Sequence, residues 1–278
     1  MPNDTIAGTA WTQTDWRLFE AKVRWGAEHG LAKLPLGDAI ARLGETFVGT
    51  TYRPGTLEVP GPERLVINLH ELDCVTFVEN VLALTRFIRH EGPGLLDDPP
   101  AARRAYERYL TALRYRSGTI DGYPSRLHYF SEWLAENARG GRIELLAQAL
   151  GGVIDSQRIG FMSGHQQAYR QLSDPAVLQA VRETEARLNA GPPRWFIPED
   201  RIASVAEKLQ NGDVIAATST LPGLDVAHTG LALWRDGKLY LVHAPLVGKA
   251  VEISEVPLAD RIRAIAAQDG IMVGRPRE

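Results

Sequence analysis

An α+β fold follows from the order of patterns along the 278 residues. Helix-spaced apolar positions fill roughly the first two thirds and β-like runs fill the rest. The two kinds do not alternate as they would around a parallel sheet. The chain shows no internal repeat or low-complexity tract and its length suits one large or two small domains; residues 1–278 are assigned to a single one.

Residues 11–49 read as helical, with Leu18, Val23, Leu31 and the series Ile40, Leu43, Phe47 at helix-like spacing. Pro35-Leu36-Gly37 divides this stretch into two helices, and Tyr52-Arg53-Pro54-Gly55 starts a loop. Leu65-Val66-Ile67 predicts a short strand. The run 75–88 is apolar on nearly every face and predicts a buried helix, with Thr76, Glu79 and Asn80 as a narrow polar stripe. A mostly helical stretch over 101–188 is interrupted at Gly140-Gly141 and Gly151-Gly152 and ended by Pro192-Pro193. Strands are expected at 213–217, 229–234, 238–242, 251–253 and 271–273.

Composition narrows the function. The chain is long enough for a sizeable core, and its 44% hydrophobic and 23% charged residues are those of an ordinary globular protein. A net charge of -3 lacks the basic excess of a nucleic-acid or membrane-surface binder. No uninterrupted apolar run suits a transmembrane helix. Met1-Pro2-Asn3-Asp4-Thr5 has neither a basic n-region nor an apolar h-region, which leaves a cytoplasmic protein or one whose export signal has been removed.

A single cysteine excludes an intramolecular disulfide and a multi-cysteine zinc site. Most lone cysteines are small buried hydrophobes, so context decides. Asp73 is a good N-cap directly before the apolar helix, which puts Cys74 in the first turn. Free backbone N–H groups and the helix dipole there favour thiolate. Phe77, Val78 and Val81 share its face, turning it away from the polar stripe and toward packed protein or a cleft. Cys74 is therefore the candidate nucleophile; the alternative is a structural cysteine at a helix start.

The candidate base comes from a turn. Two strand-like runs, 228–235 and 238–245, flank Asp236-Gly237, a strong two-residue hairpin signal. The turn pairs Arg235 with Lys238, Ala232 with Leu241, and Gly230 with His243. His228, Gly230 and His243 then share one face, with the histidines as diagonal neighbours and Gly230 leaving room beside the rings. Two touching imidazoles suit a base, His228, and its orienter, His243. A metal site lacks a third ligand unless Cys74 serves, and no cofactor is implied. Elsewhere, His29 and His90 sit in polar helix-end contexts, His70 lies near Cys74 in sequence only, and His165 is ambiguous. His128 belongs to the polar, aromatic cluster Tyr123-Pro124-Ser125-Arg126-Leu127-His128-Tyr129, which suits a ligand site or a helix-cap surface equally.

These residues resemble the NlpC-type cell-wall cysteine peptidases of the papain-like superfamily: Asp73-Cys74 opening a helix, then His228-Thr229-Gly230-Leu231-Ala232-Leu233 and Val242-His243-Ala244, with Thr51-Tyr52 upstream. More narrowly, the run 72–80, the run 123–133 and Gly212-Asp213-Val214-Ile215 resemble the N-acetylmuramoyl-L-alanine amidase branch. The resemblance covers most of the chain from about Leu43 onward, and the Asp-Cys-Val-Thr-Phe-Val-Glu run is its specific part. Two features depart from the broad pattern: a long segment between nucleophile and base, and Pro245 after Ala244.

The resemblance implies a papain-like core, an antiparallel sheet packed on the Cys74 helix, with a helical insertion at about 92–195. It implies amide hydrolysis by Cys74, His228 and His243, with Tyr52 as oxyanion donor. It also implies that Ser125, Arg126, His128 and Tyr129 bind substrate, with Arg126 reading a carboxylate. The partners it implies are peptidoglycan fragments, at the cell envelope or periplasm. Alternatives on the same scaffold are a stem-peptide endopeptidase, an acyl transferase and a non-catalytic binding module.

Overall fold

The computed structural model describes residues 4–246 and 249–278. Helices α1 (Gln13–Glu28) and α2 (Leu36–Glu45) open the fold, followed by short strands β1 (Thr51–Tyr52) and β2 (Glu71–Leu72) and the long helix α3 (Cys74–His90). Helices α4 (Pro99–Arg114) and α5 (Phe130–Arg139) precede strands β3 (Ile143–Leu145) and β4 (Val153–Asp155). Next come α6 (Phe161–Gly164), α7 (Pro175–Ala190), β5 (Arg194–Pro198) and α8 (Ile202–Val205). The C-terminal part holds β6 (Val214–Ser219), β7 (Val226–Arg235), β8 (Lys238–His243), β9 (Glu252–Ile253), α9 (Leu258–Arg263) and β10 (Gln268–Pro276).

One antiparallel sheet runs in the order β4-β5-β10-β6-β7-β8-β9, with β3 also paired to β10. Helices lie on both of its faces. Alternation along the strands sends Leu231, Leu233, Val242 and Ala216 into a core with Phe77, Val78 and Val81 of α3. The intervening Ala217, Ala232, Leu239 and Leu241 join a second core with Ile202, Val205, Leu258 and Ile262 of α8 and α9. Among the described residues no helix is long and apolar enough to cross a membrane.

The α+β class and the strands of the last third stand as expected from the sequence, and three local expectations are corrected. Leu65-Val66-Ile67 pairs with no strand; instead Val66 offers its carbonyl to Arg114 at 2.7 Å. The stretch read as helical contains β3 and β4, both joined to the sheet through long-range pairing that no local period reveals. Residues 194–198 form a strand that the sequence did not signal. The polar stripe of Thr76, Glu79 and Asn80 is buried along with the rest of the helix. Glu79 pairs with Arg114 of α4 at 2.7 Å and accepts from Trp133 Nε1 at 3.2 Å. Asn80 donates to the Asn68 carbonyl and accepts from the Tyr106 hydroxyl. Satisfied in this way, polar groups fit inside a helix bundle, and the ion pair anchors the nucleophile helix.

Candidate active site

The start of α3 is built as its sequence predicts. Asp73 is extended and its carboxylate accepts from the Thr76 N–H at 2.8 Å, while the Thr76 hydroxyl accepts from the Asp73 N–H at 2.9 Å. This reciprocal cap fixes the first turn and sets Cys74 at the first helical position.

The β7–β8 hairpin carries the register read from the sequence. Arg235 faces Lys238, Ala232 faces Leu241 and Gly230 faces His243. Asp236 and Gly237 both take positive φ, at 49° and 71°, as a two-residue turn of this hand requires. A Cβ on Gly230 would meet the Val242 carbonyl at 2.6 Å and the His243 Cβ at 2.9 Å, so only glycine admits the close approach. His228 Nε2 and His243 Nδ1 lie 2.8 Å apart, with ring planes at 84°. The β6–β7 register shifts just beyond His228, a bulge beside the candidate base.

By alternation the two imidazoles lie on the α9 face of the sheet, whereas α3 packs on the other. Cys74 reaches them at the sheet's edge. Ala232 bonds Asp213 and Gly212 on the β6 side, so Thr229, three residues earlier, points its N–H to the β8 side. Strand β8 has ended there, at His243, and the Thr229 N–H reaches the Cys74 sulfur instead. The sulfur thus occupies the place a continuing strand would take, against the residue that follows His228.

Electrostatics correct one expectation. Cys74 is a half-buried residue whose thiol is pushed up to about 12, first by burial and then by the Asp73 carboxylate. The N–H groups of Thr229, Cys74 and Val75 oppose this without overcoming it. His228 is pushed down to about 3, by burial and then by Arg261. His243 is pushed down to about 2, by burial, then His228, then Arg261. The resting pair is therefore a neutral thiol and a neutral imidazole; desolvation outweighs the helix dipole.

Tyr52 is held beside the nucleophile by two contacts. Strand β1 pairs in parallel with β2, placing Tyr52 level with Leu72, and the Tyr52 N–H donates to the Lys249 carbonyl at 2.8 Å. Burial, then Cys74 and Asp73, push its hydroxyl up to about 12, so it stays a donor.

Of Ser125, Arg126, His128 and Tyr129, Arg126 bonds the loop that joins Tyr52 to β2, and the other three bond residues 121–123, 162 and 185. The expected free fork of Arg126 is corrected: Nη1 donates to the Leu57 carbonyl at 3.0 Å and Nη2 to Glu58 at 2.6 Å, with Glu63 3.6 Å from Nε. Its guanidinium lies over the Tyr123 ring. Ser125 bonds Gly122 and Asp121, and the Tyr129 hydroxyl donates to Glu185 and accepts from the Met162 N–H. His128 stacks on Tyr123, with Nε2 2.9 Å from the Tyr123 carbonyl. Two residues the sequence did not signal also come to the candidate group of Cys74, His228 and His243. Glu252 stands opposite His243 on β9, and Arg261 of α9 interacts with Cys74, His228 and His243.

With this geometry in hand, comparisons place the chain. The family model described as AmiA-like, N-acetylmuramoyl-L-alanine amidase-like, matches residues 42–271. No curated protein matches. Among solved structures, an N-acetylmuramoyl-L-alanine amidase from Bacteroides uniformis is 36% identical, with a TM-score of 0.80 over 87% of this chain and 99% of its own. A Bacteroides fragilis protein whose name proposes a xylanase is 34% identical, with a TM-score of 0.76 over 84% and 98%. A Legionella pneumophila protein at 20% identity and a TM-score of 0.64, over 94% and 95%, shares the fold. The chain belongs to the AmiA-like family, the N-acetylmuramoyl-L-alanine amidase-like proteins.

Proposed function

We propose that the protein hydrolyses the amide between the lactyl group of N-acetylmuramic acid and L-alanine of peptidoglycan fragments. The work is done by Cys74 and His228 on a papain-like, NlpC-type core. Membership of the amidase-like family and the name of the Bacteroides uniformis relative support the substrate class. The observation that carries the chemistry is the 2.8 Å contact of His228 Nε2 with His243 Nδ1, beside a sulfur seated against Thr229. With Nε2 committed to His243, His228 keeps Nδ1 for a proton.

In this reading the neutral thiol passes its proton to His228 Nδ1 as the sulfur attacks the amide carbonyl. The Cys74 N–H and the Tyr52 hydroxyl stabilise the oxyanion, and losing one such donor costs roughly 10²–10³ in kcat. Collapse breaks the C–N bond, and His228 returns the proton to the departing alanine nitrogen. Water, deprotonated by His228, then cleaves the lactyl thioester and frees Cys74. Of the four residues expected at the substrate, His128 retains a free ring nitrogen, Nδ1, for a ligand. Arg126 acts by holding the loop that ends at the nucleophile, while Ser125 and Tyr129 hold their own segment through Gly122 and Asp121 and through Glu185 and Met162. A peptidoglycan substrate would put the protein's work at the cell envelope.

Mass analysis of purified muropeptides treated with the wild-type protein and with Cys74→Ala tests the reading. Free stem peptide plus an intact N-acetylmuramic acid sugar, absent with the variant, is the expected result. Cleavage between two peptide residues would move the activity to an endopeptidase. No Cys74-dependent product would sink the hydrolase reading.

A further inference from the structure

The hydrogen bond between the two histidines can be made in two ways, and only one leaves a base. If His228 donates from Nε2, its Nδ1 lone pair is free, and His243 accepts at Nδ1 and must carry its own proton on Nε2. If His243 donates from Nδ1 instead, His228 is protonated on Nδ1 and has no lone pair for the Cys74 proton. Whatever takes a proton from His243 Nε2 therefore decides the state of His228, two hydrogen bonds away.

His243 Nε2 is buried and has no hydrogen-bond partner among the described residues. The acceptor facing it is Glu252, whose Oε1 lies 3.7 Å away on a partly exposed side chain. The placement is built into the sheet. His243 and Glu252 are directly opposite in the β8–β9 register, so their side chains leave the same face. Residues 249–251, just before β9, are tied to the Tyr52 segment by the Val251 N–H to the Thr50 carbonyl and the Tyr52 N–H to the Lys249 carbonyl. Glu252 is thus held by the same segment that holds Tyr52. On its other side stands Arg261, a cation that attracts Glu252 and whose Nη1 is buried without a partner.

We infer that Glu252 is a positioning residue. By accepting the Nε2 proton of His243 it selects the tautomer pair in which His228 Nδ1 is a base. No bond of the substrate is made or broken by it, and the contact shortens from 3.7 Å when the cleft is filled and water is displaced. Arg261 has the opposite tendency toward His243: an N–H donated to Nε2 would select the inactive pair, and the attraction of Glu252 for the guanidinium opposes this. The inference rests on the Cys74–His228 reading above.

The test uses the full-length protein labelled with ¹⁵N-histidine. Long-range ¹H–¹⁵N spectra of the wild type, Glu252→Gln and Glu252→Ala report which nitrogen of each ring is protonated. Expected for the wild type is Nε2–H on both His228 and His243. Both variants should shift His243 toward Nδ1–H and lower kcat on muropeptides by roughly 10- to 100-fold, with KM unchanged, as loss of a partner that orients a reactive histidine does in metal sites. Tautomers that stay the same in Glu252→Ala, or a wild type already protonated on His228 Nδ1, would overturn the inference. If the wild type turns over no muropeptide yet the tautomers shift as stated, the positioning role holds and the amidase reading falls. The spectra need no substrate, so the two failures are separable.

Discussion

The β7–β8 hairpin and the loop at 53–70 both end at the candidate active site, and they are built by opposite means. The hairpin is local. A two-residue turn sets the register, and the register puts His228 beside His243 with no help from distant residues. The loop has almost no internal hydrogen bonding and is held from outside by the segment that follows α3. Arg114 holds Val66, Arg126 holds Leu57 and Glu58, Tyr115 holds Glu63 and Arg64, and Arg170 holds Val59. Of the residues expected to read the substrate, Arg126 turns out to spend its donors on that loop. The long segment between Cys74 and His228 is thus a clamp on the approach to Cys74.

The widest departure expected between the two regions is chemical. With the Cys74 thiol pushed up to about 12 and His228 held at about 3, neither group changes protonation state near neutral pH. Below its pKa, a thiol's thiolate fraction rises tenfold per pH unit, so alkylation of Cys74 by iodoacetamide should rise about 10³-fold from pH 7 to pH 10. The rise should show no step near the ordinary histidine range. A rate that is flat from pH 5 to 8 would show a preformed thiolate–imidazolium pair and break the picture of a neutral hairpin pair.

The clamp is expected to respond in stability. Arg126→Ala leaves Glu63 buried without its cation and frees Glu58, at a cost of about 3–5 kcal/mol in the range known for one-sided loss of a buried ion pair. Denaturant unfolding checks this. A variant of wild-type stability whose KM alone rises would return Arg126 to direct substrate reading. A smaller effect is expected from Gly230→Ala, whose methyl group meets the Val242 carbonyl and His243 Cβ. Displacing His243 by a few tenths of an ångström should lower kcat roughly 10- to 100-fold, given that about 1 Å of misplacement can cost 10². Unchanged turnover in a correctly folded variant would show that the contact of the two rings is not what aligns the base.

How much was legible beforehand follows the same division. The capped start of α3, its burial, and the facing of His228 and His243 were readable, because each depends on residues within about a dozen positions and on periods of 3.6 or 2. Tyr52 was picked out by resemblance, and its seat between β2 and residues 249–251 is long-range pairing. Glu252 and Arg261 left no trace in the pattern, since they lie past the end of the hairpin and no short turn links them to it.

The sequence by itself determined which groups are the candidates for chemistry: one cysteine at a helix start, and two histidines brought to one face by Asp236-Gly237. Only the tertiary structure decided their state. The early end of β8 opened an edge for the Cys74 sulfur, and packing of α3 and α9 on opposite faces of the sheet buried the thiol and both rings. Burial penalises charge more than one helix terminus can offset, and so the pair meant to react stands neutral at rest.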